Sequence, residues 1–150
     1  EFDADGFEAV AAGLRKSLKR GRRALAGVQN DPTDERLHEW RKRAKDFWHQ
    51  MTLLRSVWPP VLNAWTGELR RLAQILGDDH DLAVLTLTLR EEKEASWIPA
   101  LIGQLSPLID QRRKDLQREA LRLGSRLYAE SPRDFVDRLG RYWSIWRETT

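Results

Sequence analysis

The chain has 150 residues, 41% hydrophobic and 33% charged, with a formal net charge of +3. That is enough apolar material for one buried core and too much for a disordered tail. The absence of cysteine excludes disulfides, thiolate metal sites and cysteine nucleophiles.

The first helix is predicted over residues 7–29, with a seam of Phe7, Ala11, Leu14, Leu18, Gly21, Leu25 and Val28. Asn30-Asp31-Pro32 breaks it. Thr33 is a suitable N-cap for a second helix, predicted over 33–58. Its seam is Leu37, Trp40, Ala44, Phe47, Met51, Leu54 and Trp58. Pro59-Pro60 ends that helix and opens a third, predicted over 60–76, with Trp65, Leu69, Leu72, Ala73 and Leu76 facing inward. Gly77 is expected to close it in a left-handed conformation, and Asp78 to cap a fourth helix over 79–94. Pro99 and Pro107 punctuate the segment that starts at Ser96. A long fifth helix is expected over 107–128, with Leu116, Ala120, Leu123 and Leu127 inward. Ser131-Pro132 opens a short last helix over 132–147, carrying Phe135, Leu139, Tyr142, Trp143 and Trp146. Short loops join the first four helices. The expected fold is therefore all-α: an antiparallel four-helix bundle plus a long fifth helix and a short C-terminal one, in a single domain over 6–148.

No apolar run reaches the roughly 18 residues of a membrane span. No basic-then-apolar opening reads as a signal peptide, so the expected location is cytoplasmic.

The charge is unevenly placed. Residues 9–30 carry Arg15, Lys16, Lys19, Arg20, Arg22 and Arg23 and no acidic residue. The second predicted helix adds Arg36, Arg41, Lys42, Arg43, Lys45 and Arg55. Acids gather instead at Asp78–Asp81 and Glu91–Glu94. Such separation points to an anionic partner. On a helical wheel, His38, Arg41, Lys42 and Lys45 share one face beside the apolar seam. Arg15, Lys19 and Arg22 form a second stripe, widened by Arg23 and Lys16. Like charges at these spacings repel, and a surface carrying that cost favours counter-charges. If the two helices pack along their seams, both stripes can flank one groove. Phosphate suits it: guanidinium forks take two oxygens and lysines add point charge. The competing reading is a solvated helix surface with local ion pairs. His38 is then a packed, hydrogen-bonded histidine; within the stripe it is a phosphate donor that strengthens at lower pH.

Gly77-Asp78-Asp79-His80-Asp81 admits two readings. One is a metal site, with His80 and Asp81 joined by His49 upstream and Asp110 or Asp115 downstream, as in a helical metal-dependent phosphohydrolase. The other, preferred on these residues, is helix capping with an ion pair from Asp81 to the second helix. No cofactor is expected. A generic polyanion or nucleic-acid binder is a further alternative. The stripe lacks the interleaved exposed aromatics used for base stacking, Trp48 being the one candidate, and so nucleic acid is disfavoured.

Two segments together resemble the CHAD domain, the conserved histidine α-helical domain. Leu37-His38-Glu39-Trp40-Arg41-Lys42-Arg43-Ala44-Lys45 matches a histidine followed by basic residues three, four and seven positions on. Leu76-Gly77-Asp78-Asp79-His80-Asp81-Leu82-Ala83-Val84 matches Leu-Gly, two variable positions, a basic residue or histidine, and Asp-Leu-x-Val. The resemblance implies antiparallel helical bundles and binding of inorganic polyphosphate in a basic channel. It further implies association with polyphosphate granules, often a neighbouring triphosphate-tunnel domain, and no catalysis by the domain itself. It supports Arg41, Lys42 and Lys45 as direct phosphate ligands, with His38 a donor or a support for the stripe; the charge pattern adds Arg15, Lys19, Arg22 and Arg23, and Arg118 and Arg122, four apart on the long helix, as further candidates. A full domain of this family is about twice as long, with two related bundles about a pseudo-two-fold axis. Each motif occurs once here and looks most like the second half. The implied partner is either a missing second bundle or a second copy in a homodimer.

Overall fold

The computed structural model describes residues 6–91 and 98–149, and every regular element among them is helical. Five α-helices follow in order: α1 (Gly6–Asn30), α2 (Asp34–Leu53), α3 (Pro59–Glu91), α4 (Ile98–Leu127) and α5 (Pro132–Thr149). A single 3₁₀ turn, Arg55–Val57, joins α2 to α3.

Contacts fix the directions. Gly13 faces Gln50 and Gly27 faces Arg36, so α1 and α2 are antiparallel. His38 meets His80, Asp79 meets Arg113, and Gly124 lies against both Leu25 and Trp40. Helices α1 to α4 thus form an up-down-up-down bundle, and α5 packs on α1 through Phe7 and Trp143. The expected seams bury from Ala11 to Val28 and from Leu37 to Leu54, with Trp40 and Phe47 fully enclosed and Phe7 half-buried. Gly124 is required by this packing. A Cβ there would lie 2.4 Å from the Trp40 ring, so α4 reaches the indole only as bare backbone.

Local capping follows the sequence in two places. The Thr33 hydroxyl accepts from the Arg36 N–H, and the Ser131 hydroxyl from the Asp134 N–H. The α2 terminus differs from expectation. The helix stops at Leu53, the 3₁₀ turn absorbs the next residues, and Trp58 is exposed rather than buried.

The larger correction is at Gly77. The expected third and fourth helices are one continuous helix, and Gly77 is helical within it. Neither a left-handed glycine nor an Asp78 cap occurs. Gly77 is buried against Arg41, and Asp79 is buried by polar partners in α4. These tertiary contacts offset the roughly 1 kcal/mol that a mid-helix glycine costs. The fifth expected helix begins nine positions early, at Ile98, with Pro107 inside it. The expected helix end at Glu94 and the segment start at Ser96 lie outside the described residues.

The two longest helices outrun the core. Past Ala83, α3 buries no described side chain, and α4 buries none before Ile109. Val84, Leu85, Leu87 and Leu108 are exposed there, Leu87 at 55%.

Candidate anion-binding site

Helix α2 presents its basic stripe where it packs against α3. His38, Arg41 and Lys45 are half-buried and Lys42 is exposed. The residues opposite them come from the Gly77–Asp81 segment. The His38 and His80 rings lie 4.6 Å apart at 37°. One turn along, the Arg41 guanidinium lies over Gly77: a Cβ there would sit 3.4 Å from Arg41 Nε and 3.8 Å from its Nη2. The glycine therefore provides a seat for Arg41 on the α3 backbone. The two sequence motifs meet in space as one surface.

This surface is underneutralised. Arg41 and Lys45 make no ion pair with a described residue, and Lys42 pairs only with Glu39, at 3.0 Å. Glu39 also takes Arg43 at 2.6 Å. The hydrogen bonds from Arg43 and Lys42 hold the Glu39 carboxyl below its ordinary value. Arg41 Nε and His38 Nδ1 are buried and have no hydrogen-bond partner among the described residues, a costly condition for polar atoms. Burial, reinforced by His80, Lys42 and Arg41, pushes the His38 pKa below the ordinary histidine value; Glu39 opposes.

Beneath the surface, Asp79 is 2% exposed. It accepts from Arg113 Nε at 3.0 Å, Arg113 Nη2 at 3.2 Å and Gln117 Nε2 at 2.9 Å. Arg113 also reaches Asp34 of α2 at 2.5 Å. Burial works against the Arg113 charge, but its bonds to Asp79 and Asp34 hold its pKa above the usual value. This network ties α2, α3 and α4 together directly behind the His38–His80 pair. The sequence contained a sign of it: Asp79 continues the three-and-four spacing of Leu69, Leu72, Leu76 and Ala83, which places it on a buried face. Reading Gly77 as a helix stop hid that spacing.

The remaining candidates do not join this groove. Arg15 lines a separate cleft of about 290 Å³ with Val136, Gly140 and Ser144 of α5. Arg22 donates to the Glu130 carbonyl at 2.5 Å, in the α4–α5 connection. Lys19 is exposed on the same stripe of α1. That stripe therefore lies on the α5 flank of α1, whereas the α2 stripe lies beside α3. The single shared groove is not formed. Arg23 faces Arg20, Glu39 and Arg43 in a third cleft, between α1 and α2. Arg118 and Arg122 line a cleft of about 490 Å³ between α3 and α4, where Glu68, Asp115 and Glu119 interleave with them. Arg118 is already paired with Asp115 at 3.4 Å.

The metal arrangement is not assembled either. His80 packs at a tilt against His38, and His49 lies eleven positions further along α2, roughly 16 Å by helix rise. His49 packs beside Trp48 instead, with ring centroids 4.6 Å apart. Among the described residues no three His, Asp or Glu side chains are grouped to hold an ion. The expected ion pair from Asp81 to α2 is also absent among them; the buried acid is Asp79.

No described helix is long and apolar enough to cross a membrane. Nothing among the curated proteins or the solved structures matches the chain. A family model described as the CHAD domain matches residues 3–90, which takes in α1, α2 and nearly all of α3, and with them both motifs that build the groove. The match spans more than half of the sequence, and the chain belongs to the CHAD domain family.

Proposed function

We propose that the α2–α3 groove binds inorganic polyphosphate and that the chain is a non-catalytic binding module. The observation that carries this reading is the underneutralised stripe of His38, Arg41, Lys42 and Lys45, with Arg41 Nε and His38 Nδ1 lacking a hydrogen-bond partner among the described residues. A polyphosphate chain repeats one charge per phosphate, which suits a row of cations along a helix better than an enclosed pocket would. CHAD family membership supports the choice of ligand, since the family is associated with polyphosphate and triphosphate contexts. Arg41, Lys42 and Lys45 are the direct ligands in this reading. Arg15, Lys19, Arg22, Arg23, Arg118 and Arg122 belong to other surfaces and extend the path of a long chain at most.

Binding of this kind directs the protein to polyphosphate granules in the cytoplasm. The exposed apolar side chains on the projecting ends of α3 and α4 suit a second helical bundle, supplied by another copy or by further sequence. Nucleic acid is the weaker ligand. Trp48, the one aromatic beside the stripe, is packed against the core rather than free to stack on bases.

Calorimetry with long-chain polyphosphate tests the reading. Affinity falls steeply with salt as counterions are displaced. The Lys42→Ala, Lys45→Ala double variant stays folded and loses most of the affinity. Unchanged binding by that variant, or equal affinity for RNA in competition, overturns the assignment.

A further inference from the structure

We propose that His38 and His80 form a proton-coupled pair within this groove, so that polyphosphate binding takes up protons and tightens as pH falls from 8 to 6. The inference rests on the groove being the polyphosphate site.

The geometry sets up the coupling. The two imidazoles are in contact, with centroids 4.6 Å apart. His38 Nδ1 is buried without a partner among the described residues, and Arg41 and Lys42 stand on the same helix face. Charging both rings in the free protein places four cations together.

The surrounding acids do not relieve this. Among the described residues, Glu39 on α2 is the one acid acting on His38, and it is engaged by Arg43 and Lys42. Asp34, one turn before His38, is held by Arg113 of α4. Asp79, beside His80 on α3, is held by Arg113 and Gln117. Asp81 is exposed to solvent, and no charged group of α1 acts on His38 among the described residues. Burial and the neighbouring cations accordingly keep the His38 pKa below its ordinary value in the free protein.

A bound polyanion reverses the balance. Each phosphate supplies a negative charge and acceptor oxygens, which favour imidazolium over imidazole. Arginine and lysine side chains in general titrate well above this pH range, so the histidine pair supplies the pH response. It lets the same groove hold polyphosphate firmly in acidic surroundings and loosely in alkaline ones.

The test is calorimetry of the intact chain with long-chain polyphosphate, which titrates only at its two ends. Measurements at pH 6, 7 and 8, at constant ionic strength and in buffers of different ionisation enthalpy, give affinity and proton uptake together. The expected result is about tenfold tighter binding at pH 6 than at pH 8, with about one proton taken up per site at pH 7. The His38→Gln, His80→Gln double variant loses that pH response and retains binding at pH 8; His49→Gln keeps the response. A proton titration of the imidazole resonances in the unmodified protein guards against a misfolded variant. Polyphosphate moves the His38 midpoint upward. Wild-type affinity that is flat from pH 6 to 8, a response undiminished in the double variant, or a His38 midpoint that does not move overturns the pair. Absence of binding at every pH instead overturns the polyphosphate reading itself, and this inference with it.

Discussion

Gly77 separates the needs of the fold from those of the groove, and a graded series at this position exposes the difference. Its Cβ position lies 3.4 Å from Arg41 Nε, at the near edge of ordinary contact. In Gly77→Ala the methyl therefore fits with a small adjustment of a flexible side chain. The helix interior gains up to about 1 kcal/mol from the exchange. Gly77→Val adds two branches, and Arg41 must leave its seat. If the displaced guanidinium gives up one charge-assisted contact to phosphate, the loss is about 1.5–3 kcal/mol, or roughly ten- to hundredfold in affinity. Urea unfolding and polyphosphate calorimetry on the three proteins check both terms. The expected outcome is stability equal to or above wild type in Gly77→Ala and within about 1 kcal/mol of wild type in Gly77→Val, near-wild-type binding in Gly77→Ala, and weak binding in Gly77→Val. A Gly77→Val protein that binds as tightly as wild type shows that the seat of Arg41 is irrelevant. One that loses several kcal/mol of stability shows that Gly77 serves core packing instead.

Three further outcomes follow from the packing. Asp79→Ala removes the buried acceptor of Gln117 and of one side of the Arg113 guanidinium, which keeps Asp34, and costs about 1–3 kcal/mol in urea unfolding; an unchanged unfolding free energy contradicts the network. Gly124→Ala drives a methyl into the Trp40 ring and costs about 1–3 kcal/mol, while an unchanged unfolding midpoint argues against that close approach. Without ligand, the His38 pKa is lower in the folded than in the unfolded chain, so the unfolded chain binds more protons between the two values. Stability therefore rises with pH through a window that closes near the ordinary value of 6.5, and falls below it. His38→Gln flattens this part of a thermal-unfolding profile; an unchanged slope refutes the assignment.

Much of the bundle was legible because apolar residues recur at three and four positions through α1 and α2, and their burial needs only a neighbouring helix. The Thr33 and Ser131 caps were legible because short polar side chains satisfy local N–H groups. Gly77 was misread because its reason is not local. The glycine-aspartate pair looks like a helix end until Arg41 and Arg113, each over thirty positions away, supply the contacts that carry the helix through. The site divides in the same way. The α2 stripe follows from spacing on one helix, and its encounter with Gly77 and His80 follows from packing two motifs face to face. The α1 stripe was expected in the same groove because a wheel gives the angle from the seam but not which neighbour lies on which side. The Arg15 and Arg22 contacts place it on the α5 flank.

The α2–α3 flank of the bundle, rather than its basic surface in general, is the proposed seat of the ligand. Amide and side-chain NMR of the intact chain, titrated with long-chain polyphosphate at moderate salt, tests it most directly. The largest shifts are expected on His38, Arg41, Lys42, Lys45, Gly77 and His80, with the Arg41 Nε–H moving early in the titration. Shifts centred on Arg15, Lys19 and Arg22, or on Arg118 and Arg122, or spread evenly over all basic residues, contradict it.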